Sequence, residues 1–86
     1  MISDIVMVGI SKNNLADGFR IFDVDSVDPL TERRINSLIK VVYWTKEKDS
    51  RLTRIKFGTP VVIRGRLEAD DEHGLYVVAE TIYLCS

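Results

Sequence analysis

The sequence predicts an all-β protein: a five-stranded Greek-key barrel with one short α-helix between strands 3 and 4. Three observations predict it. Val, Ile and aromatic residues recur with the two-residue alternation of half-buried strands. The central stretch 38–67, LIKVVYWTKEKDSRLTRIKFGTPVVIRGRL, reads as strand, short amphipathic segment, strand. The length of 86 residues fits one domain, 1–86, with a core small enough that a partner subunit would help it.

The first strand is expected over residues 2–11, ISDIVMVGIS. Val6, Val8 and Ile10 lie on one side, and Ile5, Met7 and Gly9 on the other. Both sides are apolar, so one faces the core and the other something else, such as a second subunit. Gly9 inside a strand suggests a bulge or a bend. KNNLADG, residues 12–18, is a turn. FRIFDVDSV, residues 19–27, then alternates, with Phe22 and Val24 on the better core face. Asp28-Pro29 ends that strand, and residues 28–37, with the adjacent Arg33 and Arg34, form the longest connection.

LIKVVYWTK, residues 38–46, is the clearest strand. Ile39, Val41 and Tyr43 point inward; Leu38, Lys40, Val42, Trp44 and Lys46 form an open face with one large aromatic between lysines. A helix is expected next, with Thr45 as N-cap, Gly58 just past its end, and Leu52 and Ile55 as a narrow apolar stripe. A helix so short is stable only when docked, so it should plug one end of the sheet. Pro60 opens the fourth strand, where Val61, Ile63 and Gly65 alternate with Val62, Arg64 and Arg66. EADDEHG, residues 68–74, is a short acidic hairpin. LYVVAETIYLC, residues 75–85, closes the set, with Val78, Ile82 and Leu84 as core members. This order of elements is that of the OB-fold.

Composition narrows the functional classes. An apolar share of 45% with 29% charged residues suits a folded soluble chain and excludes a disordered one. No apolar run approaches the ~18 residues of a membrane helix, so no membrane association is expected. MISDIVMVG carries Asp4 and no basic flank, unlike a secretory signal. The lone Cys85 can form no internal disulfide, which suits a reducing cytoplasm. The net charge of −1 hides a segregation: residues 1–32 sum to −4, 33–66 to +8, and 67–86 to −5. A basic middle can present a positive face to an anion, or it can be ordinary solvated charge.

At this point the chain resembles the bacterial single-stranded DNA-binding protein family. The likeness is carried by IVMVG at the start, by VVYW followed after a glycine by VVIRGRL, and by the closing YVVAETIYL. It implies an OB-fold that oligomerises through the first strand, as a dimer or tetramer, with Ile5, Met7 and Ile39 expected at the interface. It implies single-stranded DNA as the ligand, with RNA as an alternative, in replication, recombination or repair. Trp44 falls where the family stacks an aromatic on a base, and Lys40 and Lys46 where it has basic residues. Arg64 and Arg66 are expected to contact phosphate beside them, and Arg33 and Arg34 to clamp a strand from their loop. The chain departs from the family at Leu38, in place of a second aromatic, and at the short acidic hairpin. Ending at Ser86, it reads as a minimal member without the family's acidic-tipped tail. These departures favour an alternative: a protein-interaction subunit of a replication or restart complex.

Other constellations read as structural. Phe19, Tyr76 and Tyr83 are either secondary stacking partners or packing residues. His73 beside Asp70, Asp71 and Glu72 reads as a solvated turn, because adjacent residues rarely converge on one ion, so no metal is expected. Cys85 has only His73 as a candidate base. With no phosphate loop or paired-carboxylate site, neither catalysis nor a cofactor is expected.

Overall fold

The computed structural model describes residues 4–27 and 30–85. Five strands build it: β1 (Ile5–Asn14), β2 (Phe19–Val27), β3 (Arg34–Tyr43), β4 (Pro60–Asp70) and β5 (Gly74–Leu84). They close in the order β1-β2-β3-β5-β4, with β4 returning to β1. Neighbours are antiparallel except β3 and β5, which run parallel from Val41 opposite Val77 to Tyr43 opposite Ala79. Among the described residues no helix is long and apolar enough to cross a membrane.

Alternation fills the barrel as expected from β2 and β4: Phe22, Val61 and Ile63 are buried, joined by Met7, Val41, Val77, Ala79 and Ile82. On β1 the inward set is Ile5, Met7 and Gly9, leaving Val6, Val8 and Ile10 outside. β5 is buried on both sides from Tyr76 to Ala79, because a second cluster of Phe19, Val42, Tyr76 and Val78 packs outside it with Leu15. Val42, expected on an open face, is therefore covered. Leu84, expected in the core, is more than half exposed, since it pairs with Val61 at the last rung of β5.

The sharp bend is at Gly65, not Gly9. Between Arg64 and Gly65 the register with β5 slips, so that Thr81 and Ala79 are paired and Glu80 is the extra residue. A Cβ on Gly65 would lie 1.8 Å from the Val78 carbonyl oxygen, so only glycine fits. β3 also starts earlier than expected, at Arg34, and stops at Tyr43, leaving Trp44 in the turn that follows.

The expected helix between β3 and β4 is absent: residues 44–59 form an irregular connection with a turn at 51–54. The reason lies in β1 and β2. Carbonyls that a helix would satisfy internally are claimed from outside. Arg20, buried on the inward side of β2, donates Nη1 to the carbonyls of Leu52 (3.1 Å) and Ile55 (2.5 Å), and Nε to that of Lys12 (3.0 Å). Asn14 Nδ2 takes the Thr53 carbonyl at 3.0 Å, and Ser11 Oγ donates to that of Lys56 at 2.8 Å. The Thr53 hydroxyl accepts from the Ser50 amide and donates to its carbonyl, a local alternative to helical pairing. Leu52 still plugs the barrel end, fully buried, with Ile55 packed beside it.

The β4–β5 hairpin is tied to the β1–β2 turn through His73. Its ring stacks on Phe19 with centroids 4.0 Å apart and planes 12° from parallel. Its Nε2 meets Asp17 Oδ2 at 2.5 Å, its Nδ1 faces the Asp70 carboxylate, and its amide donates to Asp70 Oδ1 at 2.6 Å. The solvated turn expected there is instead a clasp between two loops. The hydrogen bond to Asp17 raises the His73 pKa, against the desolvation of the ring. The same bond lowers the pKa of Asp17, and the His73 amide lowers that of Asp70.

Two predictions follow from these anchors. Arg20→Met keeps the apolar stem but strips the loop carbonyls of their donor, and should destabilise the barrel by about 2–4 kcal/mol in urea melts. The clasp should be pH-dependent. The raised His73 pKa contributes stability below its unfolded value of about 6.5, lost as pH rises through the folded value; the lowered Asp17 and Asp70 contribute above about 3.9, lost on acidification. The Tm advantage of wild type over His73→Gln should therefore shrink between pH 5.5 and 8.5, and an advantage that does not change would refute the pairing.

Candidate nucleic-acid interface

The outer wall formed by β2, β3, β5 and β4 carries most of the chemistry. After Tyr43 the chain turns, with the Lys46 amide donating to the Tyr43 carbonyl at 2.8 Å. The Trp44 amide donates to the Ala79 carbonyl at 2.9 Å, which holds Trp44 at the parallel seam, next to the Glu80 bulge. The indole is 55% exposed and tilted against Tyr43. Lys46 has a left-handed backbone (φ 56°), an uncommon geometry for a residue with a side chain. Its Nζ reaches Glu68 Oε1 on β4 at 3.4 Å.

Glu68 is shared. Its other oxygen accepts from Arg66 Nε at 2.9 Å, and Arg66 Nη1 also meets Glu80 Oε2 at 3.2 Å. Burial opposes the charge on Glu68, but the hydrogen bonds from Arg66 and Lys46 outweigh it and hold its pKa below the usual value. Trp44, Lys46 and Arg66 thus gather where β3 leaves the barrel, with two carboxylates among them.

Lys40 lies lower on the same wall, opposite Ile21 of β2. It borders a groove of about 360 Å³ at the open end of the β3–β5 seam, lined mainly by Leu38, Leu75 and Tyr76 with His73 at one edge. Leu38 and Leu75 are exposed, so the groove is apolar with one cation at its border. Burial raises the pKa of Tyr76 beside it.

The other expected contacts lie elsewhere. Arg34 starts β3, six residues or roughly 20 Å along the strand from Lys40, and pairs with Asp25 at 2.6 Å. Arg33 precedes it. Arg64 projects on the opposite wall, beside Val6 of β1 and Thr81 of β5. That wall is an apolar strip: Val6 (66% exposed), Val8 (58%), Ile10, Val62 and Tyr83. Ile5, Met7 and Ile39, expected at an oligomer interface, sit on the core side instead. Phe19 and Tyr76 are buried, whereas Tyr83 is exposed.

Asp17, Glu72 and His73 each bring one ligand atom within 4.8 Å of the others. Both ring nitrogens of His73 already face carboxylates, so the cluster is complete as a hydrogen-bonded clasp. Sequence reasoning missed it because Asp17 arrives from a loop 56 residues away.

No family model matches this chain, and no curated protein matches it. Among solved structures it is similar to the crystal structure of a small single-stranded DNA-binding protein from Streptomyces coelicolor, with a TM-score of 0.64 and 20% identity over 96% of this chain and 92% of that one. At that identity the likeness establishes the fold: the closed five-stranded barrel, in the β1-β2-β3-β5-β4 order, is an OB-type barrel.

Proposed function

We propose that this barrel binds single-stranded DNA without sequence specificity, as a non-enzymatic cytoplasmic factor in replication, recombination or repair. The observation that carries the reading is the exposed Trp44 beside Lys46 and Arg66 on the outer wall of an OB-type barrel. A base stacks on the indole, phosphates meet Lys46 and Arg66, and the strand continues past Lys40 along the apolar groove. Arg33, Arg34 and Arg64 serve a longer strand only if it wraps past the hairpin tip or around the barrel. Stacking and phosphate contact serve RNA equally well, so the ligand class is single-stranded nucleic acid with DNA favoured by the fold neighbour.

The apolar strip on the far wall supports self-association, with Val6, Val8, Ile10 and Tyr83 as the assembling face in place of Ile5, Met7 and Ile39. That arrangement leaves the Trp44 wall open. A second reading, a protein-interaction subunit, is favoured by the carboxylates of Glu68 and Glu80 lying on the two cations.

Fluorescence anisotropy of labelled oligo-dT, followed with Trp44 emission at low and near-physiological salt, separates the readings. Binding with tryptophan quenching is expected, and Trp44→Ala should weaken it at least about fivefold. Salt-sensitive binding without quenching would remove Trp44 from the site. No binding at low salt would transfer the case to the protein-interaction reading. By sedimentation velocity, Val8→Glu should convert an oligomer to monomer with the barrel intact by circular dichroism; an unchanged oligomer would exclude the strip.

A further inference from the structure

The cations of the Trp44 wall are not free. Glu68 sits between Lys46 and Arg66 and gives one carboxylate oxygen to each, at 3.4 and 2.9 Å. Two oxygens of one anion bridging a lysine and an arginine is the arrangement a phosphate would adopt there. Glu68 is half-buried and fixed on β4, opposite Tyr76 of β5, so it is held at the site by the sheet itself. Glu80, the extra residue of the β5 bulge, adds a second carboxylate to Arg66 at 3.2 Å.

We propose that Glu68 is a built-in competitor for the phosphate of a bound strand, so that the wall binds by exchange: the carboxylate leaves Lys46 and Arg66 as a phosphate enters. This rests on the nucleic-acid reading above and adds a regulatory element to it. Exchange has two consequences. Affinity is held down, because two ion pairs must break before two form. Salt dependence is shallow, because cations already neutralised by protein carboxylates hold fewer solution anions to release. The wall then favours ligands that also stack on Trp44 over polyanions that offer charge alone.

The test is Glu68→Gln, which keeps the side-chain shape and removes the charge. Asp71→Asn, which removes the same charge from the hairpin turn, controls for net charge. Oligo-dT affinity of Glu68→Gln should rise by about tenfold, and the slope of log affinity against log salt should steepen by about 1, approaching the ~0.7 per phosphate of a single strand. Equal affinities and slopes in wild type, Glu68→Gln and Asp71→Asn would overturn the proposal while leaving nucleic-acid binding in place. A gain shared equally by Asp71→Asn would also overturn it, since net charge would then suffice. The second probe is inorganic tripolyphosphate, read by the NMR shift of Arg66 Nε. If no protein binds oligo-dT but the Arg66 signal responds to tripolyphosphate only in Glu68→Gln, the competitor role stands and the nucleic-acid reading falls. Identical Arg66 responses in wild type and variant would count against the competitor role.

Discussion

A guanidinium buried at one end of the barrel sets the course of everything between β3 and β4. Arg20 is inward on β2, where alternation would place an apolar residue, and its charge cannot be shed. Burial lowers its pKa, but from so high a value that the group stays ionised. The printed contacts of this cation are carbonyl oxygens: Lys12 before β2, and Leu52 and Ile55 in the long connection. A charge taken out of water needs several such dipoles. The connection supplies them, and in doing so gives up helical pairing. Ser11 completes the tie, exchanging hydrogen bonds with Lys56 and Thr59 and delivering the chain to β4 at Pro60. Gly18 lets the loops meet, since a Cβ there would lie 2.6 Å from the Glu47 carbonyl oxygen.

The barrel ends up with two unlike walls. On one, the second cluster of Phe19, Val42, Tyr76 and Val78 is roofed by Leu15 and the His73 clasp, which leaves the groove beneath it and the Trp44 turn above it. On the other, Val6, Val8, Val62 and Tyr83 have no roof among the described residues. The bulge at Glu80 separates the two along β4. Because β5 holds an extra residue there, Arg66 turns toward Glu80 and the Trp44 side, while Arg64 lies with Val6 and Thr81. Two arginines that alternate in step along one strand are thereby assigned to different neighbourhoods.

The strands were legible because alternation is a local signal, and every strand found lies on a stretch the sequence marks as one. The helix was misread for a definable reason. Leu52 and Ile55 have a spacing that suits one helical turn and an irregular plug equally. The residue that decides between them, Arg20, is 32 positions away from Leu52. β1 was ambiguous in the same way: with apolar residues on both sides, periodicity gave the two faces but not which one turned inward, and Ile5 and Met7 went to the core. Trp44, Lys46 and Arg66 were legible as a group. Their separation from Arg64 was not, because a one-residue bulge leaves no clear mark in the sequence beyond Gly65, and its close approach to Val78 is visible only in three dimensions.

The charge pattern carries the last lesson. The segment 33–66 is +8 and its flanks are acidic, which as a linear map predicts a positive face. Folding interleaves the segments instead. Arg34 meets Asp25 from the first block, Lys46 and Arg66 meet Glu68 and Glu80 from the last, and Arg54 meets Asp49 within its own loop. These are exposed or half-exposed pairs, each worth little in stability, yet each removes a cation from the field a distant anion would feel. A wall so neutralised gains little from long-range attraction. What it can offer a nucleic acid is short-range: an indole held at the barrel seam, an apolar groove, and cations released only when something displaces their carboxylates. Specificity for an unpaired, stackable strand over a rigid duplex follows from that balance, because a duplex keeps its bases stacked inside and presents chiefly charge.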